Sequence, residues 1–389
     1  MYMSSKNTMK KIVSIAAAVL ALAGCQKSLE YRDVVLFTGT EESPLVNMYV
    51  DGPSSKALTV TSSRAVEEEI TAAVSVEASA LEAFNAANGT SYQMLPAGSY
   101  RLSEDHFTIP AGASVSRPVN FEILSMDDFE EGVLYCVPIK LTSTSDGTAI
   151  LFPSQTMYLV INSIITTNCV NLAGSNWYNM ETMENNSDLA NLPAVTLEAR
   201  VYMNGWSNLS HKIASVVGIE EHMIVRFGDV SCDRDQLQVA GRGVSLTSTD
   251  HFSLGRWYHI VAIDDGSKLR LYVDGTLEGE VDSSGKAALN LGATAEGGGF
   301  RIGASAGDNR PLNGYISEVR AWKRALSIIE AENNQCYVNP ETAQDLVGYW
   351  RMDQLDDSGK LVDLSGHGYV GTPRQETRWV EGIKCPVVE

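Results

Sequence analysis

The stretch RWYHIVAIDDGSKLRLYVDG, residues 256–275, constrains what this chain can fold into more than any other. Trp257, His259, Val261 and Ile263 share one side of a two-residue period, and Leu269, Leu271 and Val273 share one side of a second. Between the runs lies Asp264-Asp265-Gly266-Ser267. Asp-Gly between two alternating runs predicts a hairpin, because Gly takes positive φ without steric cost and Asp tolerates it. Asp274-Gly275 closes the second strand in the same way. The aspartates are thereby accounted for as turn residues. Trp257 reads as core, as do Trp322 and Trp350, and His259 reads as a hydrogen-bonded core residue rather than a ligand.

The same grammar runs along most of the chain. From residue 35 to 162 short strands such as LVNMYV, RPVNFEIL and VLYCVPIKL are broken by Gly, Pro, Asn and Ser, the pattern of an Ig-like β-sandwich. One helix interrupts them: Ser79-Ala80-Leu81-Glu82 reads as a capping box, Leu81 and Phe84 share a face, and Gly89 is the stop. NSIITTNC, residues 162–169, is a polar seam, and a second body is expected over residues 163–389. Its strands, among them AVTLEARVYM, HMIVRFGD, DQLQVAG and LVGYWRMD, are too many for an Ig domain and suit a larger two-sheet jelly roll. A short helix near Ser327 to Asn333 is its only expected helical interruption. The fold class is therefore all-β, in two domains.

The N-terminus carries Lys6, Lys10 and Lys11, an apolar run from Ile12 to Leu22, and then Leu22-Ala23-Gly24-Cys25. The run is too short to span a bilayer and ends in small residues, so residues 1–24 read as a signal peptide and 25–34 as a tether. Losing three lysines and no acid takes the formal charge from −19 to −22. Such a surface repels phosphate backbones, which excludes nucleic acid as a partner. With Cys25 set aside, Cys136, Cys169, Cys232, Cys336 and Cys385 remain, and five cannot all pair. Export permits disulfides, and the spacings match no metal motif. A staple among Cys169, Cys336 and Cys385 and five unpaired, buried thiols are both open.

Three resemblances attach to these residues. The Leu22 to Cys25 segment resembles the lipobox of bacterial lipoproteins, which implies lipidation of Cys25 and a protein tethered to the outer membrane, facing outwards. AFNAANGTSYQMLPAGSY, followed by FTIPAG and YCVPIKL, resembles the domain of unknown function 1735 found in lipoproteins of saccharolytic gut bacteria. That implies an Ig-like spacer or recognition domain ahead of a glycan-binding or glycan-cleaving module. TLEARVY, the 256–275 hairpin, FRIGA, LNGYISEVRAWKRALS and LVGYWRMDQLDDSGKLVDLSGHGYVG resemble the laminin-G or concanavalin A-like lectin and glucanase superfamily. One departure stands out: the Tyr-Trp and Asp-x-Ser-Gly segment often opens such domains and here closes the chain.

Enzymes of that superfamily commonly carry Glu-x-Asp-x-x-Glu, two carboxylates on one strand face at glycosidase spacing. The nearest string, Glu280 to Gly285, lacks the last carboxylate, so no enzymatic activity is expected. Asp363, Ser365 and His367 in DLSGHG are neighbours on a Gly-rich loop, unlike a catalytic triad drawn from separate elements. By resemblance the loop offers oxygens to a structural Ca²⁺, with Asp363 as a ligand and Glu318 as its partner; a plain turn is the alternative. Glycan binding needs aromatic platforms and planar polar side chains. The candidates are Trp206, Trp177 and Tyr178 as platforms and the polar set Arg226, Asp229, Gln236, Gln238 and Arg242; Gln236 and Gln238 flank Leu237 on the opposite strand face and would line one exposed sheet surface, rimmed by Asp308, Asn309 and Arg310. The expected function is non-catalytic capture of a polysaccharide or host glycan alongside outer-membrane glycan-uptake proteins. The alternatives are a protein-binding or structural lipoprotein, and a glycoside hydrolase with a non-standard carboxylate pair.

Overall fold

The computed structural model describes residues 33–88, 90–294, 298–305 and 310–386. The signal peptide, Cys25, Gly89, Asp308 and Asn309 lie outside the described residues. No helix among the described residues is long and apolar enough to cross a membrane.

The first body is built on a five-stranded sheet in the order Leu45–Val50, Thr156–Ser163, Tyr135–Thr144, Ile70–Val76, His106–Ile109. Two three-stranded sheets, one containing Val34–Phe37 and the other Val119–Ile123, complete the sandwich. Alternation fixes the register: in Val119–Ile123 the first, third and fifth residues are buried, and Phe121 is fully so. Phe37 and Phe107 meet edge to face with centroids 5.8 Å apart at the centre of this core. Helix α1 (Ala78–Asn88) lies on the far side of the five-stranded sheet, where Leu81 packs on Cys136 and Val160 and the Phe84 ring lies 4.1 Å from that of Tyr158. The helix begins one residue before Ser79, which therefore sits in its first turn and not at the cap.

Thr156–Ser163 runs almost directly into Ile165–Asn171, the first strand of the second body. There an eight-stranded sheet faces a seven-stranded one across a single apolar core. The hairpin is as the sequence predicts: Trp257–Asp264 pairs antiparallel with Lys268–Val273, and the Asp265 carboxylate accepts from the backbone N–H groups of Ser267 and Lys268, 2.8 Å each. Asp274 holds φ at 48° and accepts from the His259 N–H at 2.8 Å. Asp264 does more than turn the chain, because its carboxylate is also buried against the Arg242 guanidinium. Helix α2 (Ile328–Asn333) is capped by Ser327, whose hydroxyl accepts from the Glu330 N–H at 3.2 Å. Two short 3₁₀ turns, Glu181–Met183 and Ser187–Leu189, add helical interruptions that alternation did not signal.

Ile165–Asn171 pairs antiparallel with Arg378–Cys385, so the first and last strands of the second body are neighbours. A segment that usually opens such a domain can therefore close it without changing the sheet. Cys336 and Cys385 form a disulfide with Cα atoms 5.4 Å apart, while Cys136, Cys169 and Cys232 are free and buried.

Candidate functional site

Most of the nominated binding residues are engaged within the protein. Tyr178 is fully buried with its hydroxyl 2.6 Å from that of Thr377, and Trp177 is buried beneath the Arg374 guanidinium, 4.0 Å from its ring. Neither is a sugar platform. Trp206 is half-buried, with its ring 5.3 Å from Phe227 at the edge of the core. Arg226 and Gln238 share the outer face of the seven-stranded sheet, but both are buried. The guanidinium donates to Gln238 at 2.7 Å, Glu220 at 3.0 Å and Asp229 at 3.0 Å. Arg310 joins this cluster through Glu220, 2.8 Å away, and Gln236 donates to the Ser248 carbonyl. Arg242 stands apart, paired with Asp264. A fork whose donors are consumed by its neighbours holds the sheet together and offers little to a ligand.

Protein donors engage both carboxylates nominated for calcium. The Asp363 carboxylate accepts four bonds, from the backbone N–H groups of Tyr349, Ser365 and Tyr369 and from the Ser365 hydroxyl, at 2.9 to 3.0 Å. Glu318 holds Arg320 and accepts from the Tyr349 hydroxyl at 2.7 Å. These donors compete with a hard cation for the carboxylate oxygens.

The large concavity lies between the two bodies, a cleft of about 960 Å³. One wall carries Tyr49, which is 44% exposed, with Phe84 and Tyr92 beside it. The opposite wall carries Trp257, Tyr202 and Tyr337. Trp257 is half-buried, not core as its alternation implied, because it lies on the outer face of the eight-stranded sheet. Tyr202 bridges the wall, 5.7 Å from Trp257 and stacked 5.1 Å from Tyr315. Asn47 and Asn162, bonded to each other at 3.0 Å, and Asn88, Asn333 and Gln335 place amides among these rings. The bodies are pinned around the cleft by Arg351 to Glu131 at 2.7 Å and Lys384 to Asp51 at 2.8 Å. Gly132 lies so close to Tyr337 that a β-carbon there would fall 2.0 Å from the ring.

Beneath the Trp257 wall runs a layer of buried charge. Val195–Met203 turns Leu197, Ala199 and Val201 into the core, so Glu198, Arg200 and Tyr202 take the outer face. On the neighbouring strand Gly314–Trp322, a register shift at Glu318, with φ at 52°, turns both Ile316 and Val319 into the core and leaves Glu318 and Arg320 on the outer face. Glu198 meets His259 at 3.3 Å and Arg320 at 3.3 Å, and accepts from the Trp322 indole. Burial pushes the Glu198 carboxyl up, but its bond to His259 and the Arg320 charge outweigh burial and hold it below its ordinary value. For Glu318 burial wins and the carboxyl titrates above its ordinary value, although Arg320 opposes the shift.

Residues 176–330 match the family model of the concanavalin A-like lectin/glucanases superfamily. The second body is a concanavalin A-like domain. A model of an N-terminal domain family matches residues 31–148, ahead of it. Among solved structures, a proposed carbohydrate-binding protein of Bacteroides ovatus is similar over 90% of this chain and 97% of its own, at 23% identity and a TM-score of 0.56. That likeness bears on the fold. A heptameric SAP-like pentraxin of Limulus polyphemus aligns with 56% of this chain and 95% of its own, at 16% identity and a TM-score of 0.33. EndoBT-3987 of Bacteroides thetaiotamicron aligns with 34% of this chain and 30% of its own, at 19% identity and a TM-score of 0.28. No curated protein matches.

The concanavalin A-like domain thus contributes one wall and the floor of the cleft, and the preceding domain the other wall. Reading one strand at a time missed this surface. One signal was present: Glu198, Arg200 and Tyr202 alternate with Leu197, Ala199 and Val201, marking a polar face on a strand whose other face is core.

Proposed function

We propose that this protein is a non-catalytic glycan-binding lipoprotein that holds a polysaccharide or host glycan in the cleft between its domains. One observation carries the reading: Tyr49 on one wall and Trp257 and Tyr202 on the other bracket a cleft furnished with amides. Aromatic faces stack on the apolar faces of sugar rings, and amides match the donor and acceptor hydroxyls around them. The likeness in fold to a proposed carbohydrate-binding protein supports it.

The lining carboxylates support binding over hydrolysis. Among the described lining residues these are Asp274 and Glu332. Asp274 is committed to the His259 N–H and to the Arg256 guanidinium at 3.0 Å, which leaves Glu332 without a second free carboxylate for a glycosidase pair. Lipidation at Cys25 would set the cleft outside the outer membrane, where captured glycan passes to uptake proteins.

The test is affinity electrophoresis through gels containing plant and host polysaccharides, with Trp257→Ala and Tyr49→Ala beside the wild type. Retardation by at least one glycan, weakened about tenfold or more in both variants, is expected. Retardation by none would overturn the reading in favour of a protein partner, and release of shorter products would overturn its non-catalytic part.

A further inference from the structure

We infer that the cleft recognises an acidic sugar unit, a uronic or sialic acid whose carboxylate docks on Arg200. This rests on the cleft being the glycan site. Arg200 lines the cleft on the Trp257 wall, with its guanidinium 4.9 Å from the centre of that ring. The side chain is almost wholly buried, yet among the described residues no carboxylate lies within ion-pairing distance of it. Its bonds amount to one long contact, Nη2 to the Lys384 carbonyl at 3.3 Å, and its Nε is buried with no partner.

The neighbouring acids are spoken for. Glu318 is held by Arg320 and the Tyr349 hydroxyl, Glu198 by His259, Arg320 and Trp322, and Asp274 by Arg256 and the His259 N–H. Burial pulls the guanidinium down to about 10, still protonated at neutral pH; the charge of Glu318, which makes no ion pair with it, opposes the fall and that of Arg320 adds to it. A buried cation without a counter-ion is costly, and structures keep one where a ligand supplies the missing charge. A carboxylate offers two oxygens to the guanidinium fork, while the adjoining indole takes the face of the same sugar.

The protein's charge narrows the class further. A formal charge of −19 repels a dense polyanion along its whole length. A single carboxylate seated on Arg200 feels mainly its local partner, because charges beyond about 8 Å are screened at physiological ionic strength. The structure therefore favours a largely neutral glycan with isolated or terminal acidic units over a polyuronate.

The experiment is calorimetry on the full chain, with sialyllactose and glucuronate-containing oligosaccharides each offered in native and carboxyl-reduced form. The wild type is expected to bind at least one native form about tenfold or more tightly than its reduced form. Arg200→Met should lose the preference and bind the two forms equally. No carboxylate is ion-paired with Arg200, so the change strands no buried charge; Arg200→Lys, which keeps the charge and loses the fork, should retain only part of the preference. Equal binding of both forms by the wild type, or an undiminished preference in Arg200→Met or Arg200→Lys, overturns the carboxylate assignment and leaves the cleft standing. Binding of neither form, together with no gel retardation by any polysaccharide, overturns both.

Discussion

The Glu198 carboxylate and the His259 imidazole face each other at 3.3 Å, and both are almost wholly out of water. Glu198 is the hub of the charge layer under the cleft, since Arg320 and Trp322 also end on it. Glu198→Gln leaves the buried Arg320 short of a counter-charge and should cost about 3 kcal/mol at pH 7. The pH dependence has a definite sign. The folded carboxyl titrates below its ordinary 4.5, so its ionised form stabilises the fold above that pH and the contribution is lost as the pH falls below it. Glu318, raised by burial, works the opposite way, its contribution falling as the pH rises through 4.5. Urea titrations from pH 7 to pH 4 should therefore give a flatter profile for Glu198→Gln and a steeper acid loss for Glu318→Gln. Parallel profiles for the two variants would contradict the assignment.

The disulfide between Cys336 and Cys385 closes a separation of 49 residues and ties the segment after helix α2 to the last strand. Loop-closure entropy for that length predicts a loss of about 4 kcal/mol when both cysteines become serine. A lowered denaturation midpoint with a steeper slope, because the uncrosslinked chain exposes more surface on unfolding, would be the signature. Burial pushes the Cys136 and Cys169 thiols up to about 12, so mass spectrometry after alkylation of the native protein should find neither modified.

Asp363 organises its loop through four accepted hydrogen bonds and no metal is needed to explain its position. Asp363→Ala should lower stability by about 2 to 3 kcal/mol, because three backbone donors lose their acceptor. Millimolar calcium or a chelator should leave the wild-type melting temperature where it is. A rise with calcium that Asp363→Ala abolishes would restore the metal reading.

The residues legible in advance were those whose role is local. Asp265 and Gly266 form their hairpin because the geometry of a two-strand turn is set by four consecutive residues. Leu237 was placed in the core and Gln238 on the opposite face by alternation alone. What alternation could not say was whether that opposite face met water. Gln238 is buried with Arg226, while Trp257, on the outer face of the other sheet, reaches a cleft. The same two-residue period fits both cases.

The sequence by itself determined the all-β architecture in two bodies and the hairpin register, since turn chemistry and strand period act over a few residues. The alternation of Glu198, Arg200 and Tyr202 with core residues lay in it unread. Only the tertiary structure decided that their face lies under a second domain, that Tyr49 stands opposite Trp257, and that Arg200 is left without an ion-paired acid while Arg320 is not. Those outcomes depend on Leu45–Val50 lying across the cleft from Val195–Met203 and on the pairing of Val195–Met203 with Gly314–Trp322, strands far apart in the chain. Which charge finds a partner there is settled by packing in three dimensions, and no local pattern encodes it.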